Sequence, residues 1–402
     1  MLNTAQSQPK PALPFGEFVA LMALTISLVA LSTDAMLPAL PEIGRELGAR
    51  RANDNQLIVS LLFLGLAVGQ VIYGPLSDSF GRKRPIYAGF AIFIVGSLIA
   101  LLATSFPMIL IGRVLQGLGA AGSRIVAIAL VRDLYEGRTM ARVMSFVMTV
   151  FILVPILAPA LGQAILLLAN WRAIFGLFLV LAFIALGWFA LRQPETLLPE
   201  QRRPFSLGRV MGAIREVLAN RTAFGYTITS GLVFGAFLGY LSSSQQIFQV
   251  QYGLGNLFPL YFAILAISLG CASLVNGRLV MRYGMRSLAR VALLALGGLS
   301  PLFYLLAALM AGQPPLWLLM AYLMLTFFGI GILFGNLNAL AMEPLGHIAG
   351  VGAAVVGFLS TLISMVLGTL VGQSYNGTVL PLVGGFALYS LASLAMMGWT
   401  ER

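Results

Sequence analysis

The chain of 402 residues is 59% hydrophobic and only 9% charged, where soluble domains carry roughly 25% charged residues. So little charge cannot keep a soluble surface hydrated, and the bilayer is the expected solvent. The formal net charge of +11 would suit nucleic acid in a soluble protein; in a membrane chain it reads as cations that fix topology, so no nucleic-acid partner is expected.

Met1 to Pro14 are polar and proline-rich, with no cleavable signal pattern, so the first apolar run reads as a retained helix. A spanning helix needs about 20 mainly apolar residues. Twelve such runs follow in chain order, at roughly 17–40, 55–77, 85–104, 107–131, 141–168, 171–191, 222–247, 256–280, 287–311, 314–340, 347–374 and 378–399. The longest polar stretch, Arg192 to Arg221, divides six runs from six. The expected fold is an all-α integral membrane protein: a six-helix bundle over 1–191, a linker over 192–221 and a second bundle over 222–402. A monomer is expected.

One side of this arrangement carries Lys10, Arg82, Lys83, Arg84, Arg132, Arg138, Arg142, Arg192, Arg202, Arg203, Arg209, Arg215, Arg221, Arg278, Arg282, Arg286, Arg290 and Arg402. The other carries Arg45, Arg50, Arg51 and Arg172. The positive-inside bias puts both termini and the linker in the cytoplasm. Six plus six helices with both ends inside suits two parallel halves related by an axis along the membrane normal.

Between the second and third runs lies Gly74-Pro75-Leu76-Ser77-Asp78-Ser79-Phe80-Gly81-Arg82-Lys83-Arg84. Two glycines, a carboxylate and three cations fill a turn too short to cross anything. An echo stands at Gly277 to Arg286, where Gly277 matches Gly74, Gly284 matches Gly81 and Arg286 matches Lys83. Met281 stands where Asp78 does, so the second copy has lost its carboxylate.

Gly74 to Arg84 resembles the loop 2–3 signature of the major facilitator superfamily. Leu31 to Pro41, Gly65 to Asp78 and Arg113-Val114-Leu115-Gln116-Gly117-Leu118-Gly119-Ala120-Ala121 narrow the resemblance to its Bcr/CflA drug:proton antiporters of bicyclomycin and chloramphenicol resistance. Ala158-Pro159-Ala160-Leu161-Gly162 resembles the fifth-helix antiporter signature, with Ala158 and Gln163 where glycines are usual. The specific match covers about residues 30 to 165. The resemblance implies proton-coupled efflux of small amphipathic drugs by alternating access across a bacterial inner membrane. Its partners would be a small-molecule substrate, protons and the lipid bilayer, with no cofactor. Proton-coupled import of a nutrient, or facilitated passage, is the alternative.

Asp34 is the one carboxylate well inside a predicted run. An aspartate at the bilayer centre costs about 2.5–3.5 kcal/mol on insertion scales, so it faces a partner or water. With a first helix running to Leu40, Asp34 lies roughly 9 Å below the surface at 1.5 Å per residue. Arg113 sits at similar depth in the fourth run, so a pair or a shared cavity is expected. Burial favours the neutral carboxyl and a nearby cation the charged form; those opposed pulls suit proton coupling by Asp34 and Arg113. Arg124, near the end of the fourth run, is expected to snorkel to the headgroups.

The resemblance further implies a conformational latch in which Asp78 and Arg82, with Gly74 and Gly81, meet the end of the fourth helix at Asp133. Pro155 and Pro159 remove intrahelical hydrogen bonds and tend to bend the fifth helix; the resemblance implies that this bend, with Gly162, helps seal the interface between halves. Polar groups in apolar text that could bond a substrate are Gln116, Tyr226, Tyr240, Asn336, Asn338 and Gln373, with Gln245, Gln246 and Asn376 beside them. One cysteine, Cys271, and one histidine, His347, provide neither a metal cluster nor a nucleophile–base pair, and no phosphate-binding glycine loop is present. An enzyme is therefore not expected.

Overall fold

The computed structural model describes residues 13–202 and 204–402. Lys10 and Arg203, counted above among the cations, lie outside them. The first half runs α1 (Phe15–Asp34), α2 (Leu40–Leu47), α3 (Leu57–Phe80), α4 (Lys83–Leu101), α5 (Phe106–Leu134), α6 (Gly137–Leu168) and α7 (Arg172–Arg192). A connection containing α8 (Leu207–Ala219) leads to α9 (Arg221–Gln245), α10 (Phe258–Tyr283), α11 (Met285–Leu309), α12 (Leu316–Met342), α13 (Ala349–Gln373) and α14 (Leu380–Thr400). Eleven helical stretches are long and apolar enough to cross a bilayer. One of them, 316–373, holds both α12 and α13 across a 3₁₀ turn at Glu343–Ile348. Twelve membrane-length helices result among the described residues, one for each predicted run.

The first run departs from expectation. It does not continue unbroken to Leu40: α1 stops at Asp34, and a 3₁₀ turn at Leu37–Ala39 links it to the short α2. Pro38 lacks an amide donor, so the Asp34 carbonyl has no i+4 partner and the α ladder is interrupted in this stretch. Asp34 therefore sits at a helix end, beside a break.

In the first half α5 packs against α3 and α4; in the second, α9 packs against α13 and α14, and α12 against α10. Small residues set the closest approaches. A Cβ on Gly117 would lie 1.9 Å from the Leu62 carbonyl oxygen of α3. The halves meet along α3 with α13 and along α6 with α10. The polar linker also holds more structure than expected. Its helix α8 packs on α13 and α9, and Glu216 on α8 pairs with His347 at 2.7 Å.

The two hairpins share a backbone device. Gly81 and Gly284 both sit at positive φ, 87° and 77°, a conformation other residues adopt only with strain. Their matched places in the two halves support the twofold repeat read from the sequence.

Candidate functional site

A cavity of about 200 Å³ lies between the halves. Its charged wall comes from the first half: Asp34 at the end of α1 and Arg124 on α5. Its aromatic wall comes mostly from the second half: Phe234, Phe237, Phe262, Phe327 and Phe334 face Phe63 of α3. The rings contact one another edge-on, Phe237 against Phe327 at 5.5 Å and Phe237 against Phe334 at 5.6 Å. Such contacts fix ring orientation and add to the burial of apolar surface. Tyr240 meets the same cluster edge-on, 4.7 Å from Phe327. Its buried hydroxyl has no hydrogen-bond partner among the described residues.

The halves touch on both sides of this cavity. Towards the basic hairpin, Gln70 of α3 donates to Thr361 of α13 at 3.0 Å. Towards the other end, Asn53 donates to the carbonyls of Gln373 and Tyr375 at 3.0 and 2.8 Å, and Gln373 donates back to the Asn53 carbonyl at 2.7 Å. Gln56 bonds Gln246, and Gln163 bonds Asn256 at 3.1 Å. Polar ties between the halves thus stand on both sides of the cavity.

Asp34 and Arg113 do not pair. Arg113 is fully enclosed, away from the cavity, and spends its donors on the Ser32 carbonyl at 2.8 Å, the Ile58 carbonyl at 3.0 Å and Gln116 at 2.5 Å. Gln116 in turn donates to Ser97 at 2.7 Å. The guanidinium thus ties α1, α3 and α5 together, two residues before Asp34. Depth matching found the neighbourhood; the fork is filled by carbonyls because they reach it first.

Arg124 corrects a second expectation. Its side chain lines cavities inside the bundle. It keeps exposed surface in the interior because that surface faces the central cavity and a second one of about 180 Å³ towards the hairpin.

The six polar candidates for substrate contact do not line the central cavity. Tyr226 donates to Glu401 at 2.9 Å, Asn336 bonds Asn276 at 2.8 Å, and Gln116 and Gln373 are held as described. Asn338 is exposed on the flank of α12. Tyr240 stands behind the phenylalanines. Polar side chains in apolar helices find one another across helix contacts, and that consumed most of this set. The phenylalanines carried a usable signal: Phe234 and Phe237 are three apart, Phe327 and Phe334 seven apart, so each pair shares a helix face.

At the hairpin, Arg82 is 5% exposed. It grips Asp133 through two bonds of 2.7 and 3.1 Å and reaches Asp78 at 2.8 Å and Ser77 at 2.6 Å. Burial opposes its charge, but the Asp133 and Asp78 carboxylates outweigh it and raise the guanidinium above its ordinary pKa. Asp78 also faces the start of α13, 3.6 Å from where a Cβ on Gly350 would stand; a helix N-terminus favours such a carboxylate. Gly74 approaches Ala354 of the same helix. Glu195, which no sequence motif marks, completes the cluster. Its carboxylate accepts from the amides of Arg82 and Lys83 at 2.8 and 3.1 Å, while Thr196 donates to Asp133 at 2.9 Å. The start of the linker is therefore bound into the hairpin cluster.

On the fifth helix, Pro155 lines the central cavity, Pro159 is buried, and Gly162 packs against the α1 break.

The family model described as Major Facilitator Superfamily matches residues 22–369. An uncharacterized MFS-type transporter of Bacillus subtilis, YdgK, is 31% identical over 100% of this chain and 98% of its own length. A bicyclomycin resistance protein homolog of Haemophilus influenzae is 27% identical, covering 91% of each chain. Among solved structures, the partially occluded inward-open xylose transporter XylE from E. coli superposes with a TM-score of 0.74 over 96% of this chain and 97% of that one, at 13% identity; this likeness speaks to the fold alone.

Proposed function

The chain belongs to the major facilitator superfamily, and from that premise we propose that it exports small amphipathic compounds, of the bicyclomycin and chloramphenicol type, in exchange for protons. One observation carries the reading. The cavity between the halves is aromatic on one wall and holds a single carboxylate, Asp34, at a helix break. Aromatic walls suit flat apolar compounds, and a carboxylate at membrane depth is the group that can take up and release a proton. The resemblance of Leu31–Pro41 and Ala158–Gly162 to drug:proton antiporters, and the name of the Haemophilus influenzae relative, point the same way.

Alternating access needs contacts that form and break on the two sides of the site. The hairpin cluster with Gln70–Thr361 is one set; the ties among Asn53, Gln56, Gln246 and Gln373 are the other. The hairpin acts as the latch of the closed inner side, with Asp78 as the group that meets α13. With the cations counted by end, the hairpin, the linker and both termini face the cytoplasm of a bacterial inner membrane. The two halves, joined by 192–221, move as rigid bodies in a monomer.

The test is a susceptibility panel in a host stripped of its own exporters, with and without this chain. Raised resistance to one or more amphipathic drugs, lost when an uncoupler collapses the proton gradient, is the expected result. Growth on a nutrient with no resistance would overturn the export reading.

A further inference from the structure

Two opposite charges line the central cavity, and neither has a partner among the described residues: Asp34 forms no hydrogen bond or ion pair, and Arg124 donates none. The other two interior guanidiniums are treated differently. Arg82 is filled by Asp133, Asp78 and Ser77, and Arg113 by two carbonyls and Gln116. A charge within a membrane helix is costly and is met by a partner or by a water-filled space. Arg124 has the space and no protein partner.

We propose that the cavity takes an aromatic zwitterion, with its acidic group on Arg124, its ammonium on Asp34 and its ring against the phenylalanine wall. This rests on the reading of the cavity as the transport site. The planar guanidinium fork matches a carboxylate through two parallel bonds. Asp34 offers the complementary acceptor for an ammonium. No other ionisable group among the described residues lines the cavity, so its formal charges cancel. A lone anion would leave Asp34 uncompensated and a lone cation would leave Arg124 so; a zwitterion satisfies both. The ring wall comes from the opposite half, so one compound would bridge the halves and report its presence to both. An ammonium and a proton would then compete for one carboxylate, which gives exchange without a second site.

Arg124 also borders the second cavity, together with Leu66 and Gln70. A compound passing from the hairpin side would meet the guanidinium before the aromatic wall. The cavity, about 200 Å³, is smaller than the roughly 300–1,000 Å³ of drug-sized sites, so the halves would part around the larger members of the class.

The test uses the full chain in lipid nanodiscs and three forms of one fluoroquinolone: the zwitterion with free carboxylate and protonated piperazine, its ethyl ester and its N-acetyl derivative. The zwitterion should bind about tenfold tighter than either blocked form. Arg124→Gln should erase its advantage over the ester, and Arg124→Lys should retain part of it, which also separates lost charge from lost folding. Equal binding of the three forms, or unchanged discrimination in Arg124→Gln, overturns the proposal. Phe334→Ala distinguishes the two levels. If it weakens all forms while Arg124→Gln changes none, the cavity stands as the transport site and the zwitterion falls. If neither variant changes binding, both fall.

Discussion

Gly162 sets its bare Cα against the carbonyl oxygen of Ala35; a Cβ there would stand 1.7 Å from that oxygen. The contact joins the fifth helix to the break in the first, one residue beyond Asp34. It explains physically why a residue without a side chain is wanted at the end of the Ala158–Gly162 signature. Without a side chain at Gly162, α6 can close directly over the backbone where α1 ends. Gly162→Ala should force α6 away from that corner. Overpacking of this kind costs about 1–3 kcal/mol. The expected result is a lower thermal midpoint in detergent and efflux slowed roughly tenfold, since about 1.4 kcal/mol on a barrier is one decade. Wild-type values for both would show that the packing has no bearing on transport.

Asp34→Asn keeps the size of the side chain and removes its proton chemistry. Uphill efflux should vanish while the protein still reaches the membrane, and exchange of substrate down its own gradient should persist. Proteoliposomes with an imposed pH gradient separate the two. Undiminished uphill transport by Asp34→Asn would take this residue out of the coupling scheme.

Arg113 is expected to act through position. Its fork holds the Ser32 and Ile58 carbonyls and Gln116, and bonds to a charged donor are worth about 1.5–3 kcal/mol each. Lysine keeps the charge but cannot reach three partners spread across one plane. Arg113→Lys should therefore lower the melting temperature and impair transport, with Arg113→Ala nearly inactive. If Arg113→Lys melts like wild type and still fails to transport, the guanidinium has a direct role that its present bonds do not reveal.

How much of this was legible beforehand depended on the length scale of the signal. A membrane helix is written in about 20 consecutive residues, so all twelve runs could be found with only their ends misplaced. The turn at Gly81 and Gly284 was legible because glycine is the residue that accepts positive φ. The break after Asp34 was not, because a proline near the end of an apolar run does not fix the residue at which the α ladder gives way. Substrate contacts were misjudged for a different reason. Polarity in apolar text drew attention to Tyr226, Asn336 and Gln373, yet each is consumed by a neighbour that is distant in sequence: Glu401, Asn276 and Asn53. The inward direction of Arg124 is not legible because position along a helix does not tell which way its face turns. Glu195 carried no local pattern at all; its role arises from where the linker folds back.

The two hairpins provide a comparison in which the same residue type should matter in one place and hardly in the other. Arg82 is buried and held by two carboxylates. Arg286, in the second copy, pairs with Glu343 at 2.8 Å while both side chains remain about half exposed, at 58% and 49%. Removing one partner of a buried charge cluster costs about 3–5 kcal/mol because the remaining charges are stranded. Exposed pairs contribute about 0–1 kcal/mol. Arg82→Ala would strand Asp133, whose side chain is 17% exposed, and free the linker start that Glu195 and Thr196 tie to the same cluster. Arg286→Ala would strand nothing that water cannot reach. Arg82→Ala should thus slow efflux at least tenfold with little change in substrate affinity, because the cluster lies apart from the cavity, whereas Arg286→Ala should stay within about twofold of wild type, matching the stability difference expected from burial. Efflux rates and equilibrium binding, measured on both variants in the same liposomes, decide the matter. Equal losses in the two variants would mean that the loss of the carboxylate at Met281 has not released the second hairpin from its duty, and a binding defect in Arg82→Ala would place the first hairpin in the substrate path instead of the latch.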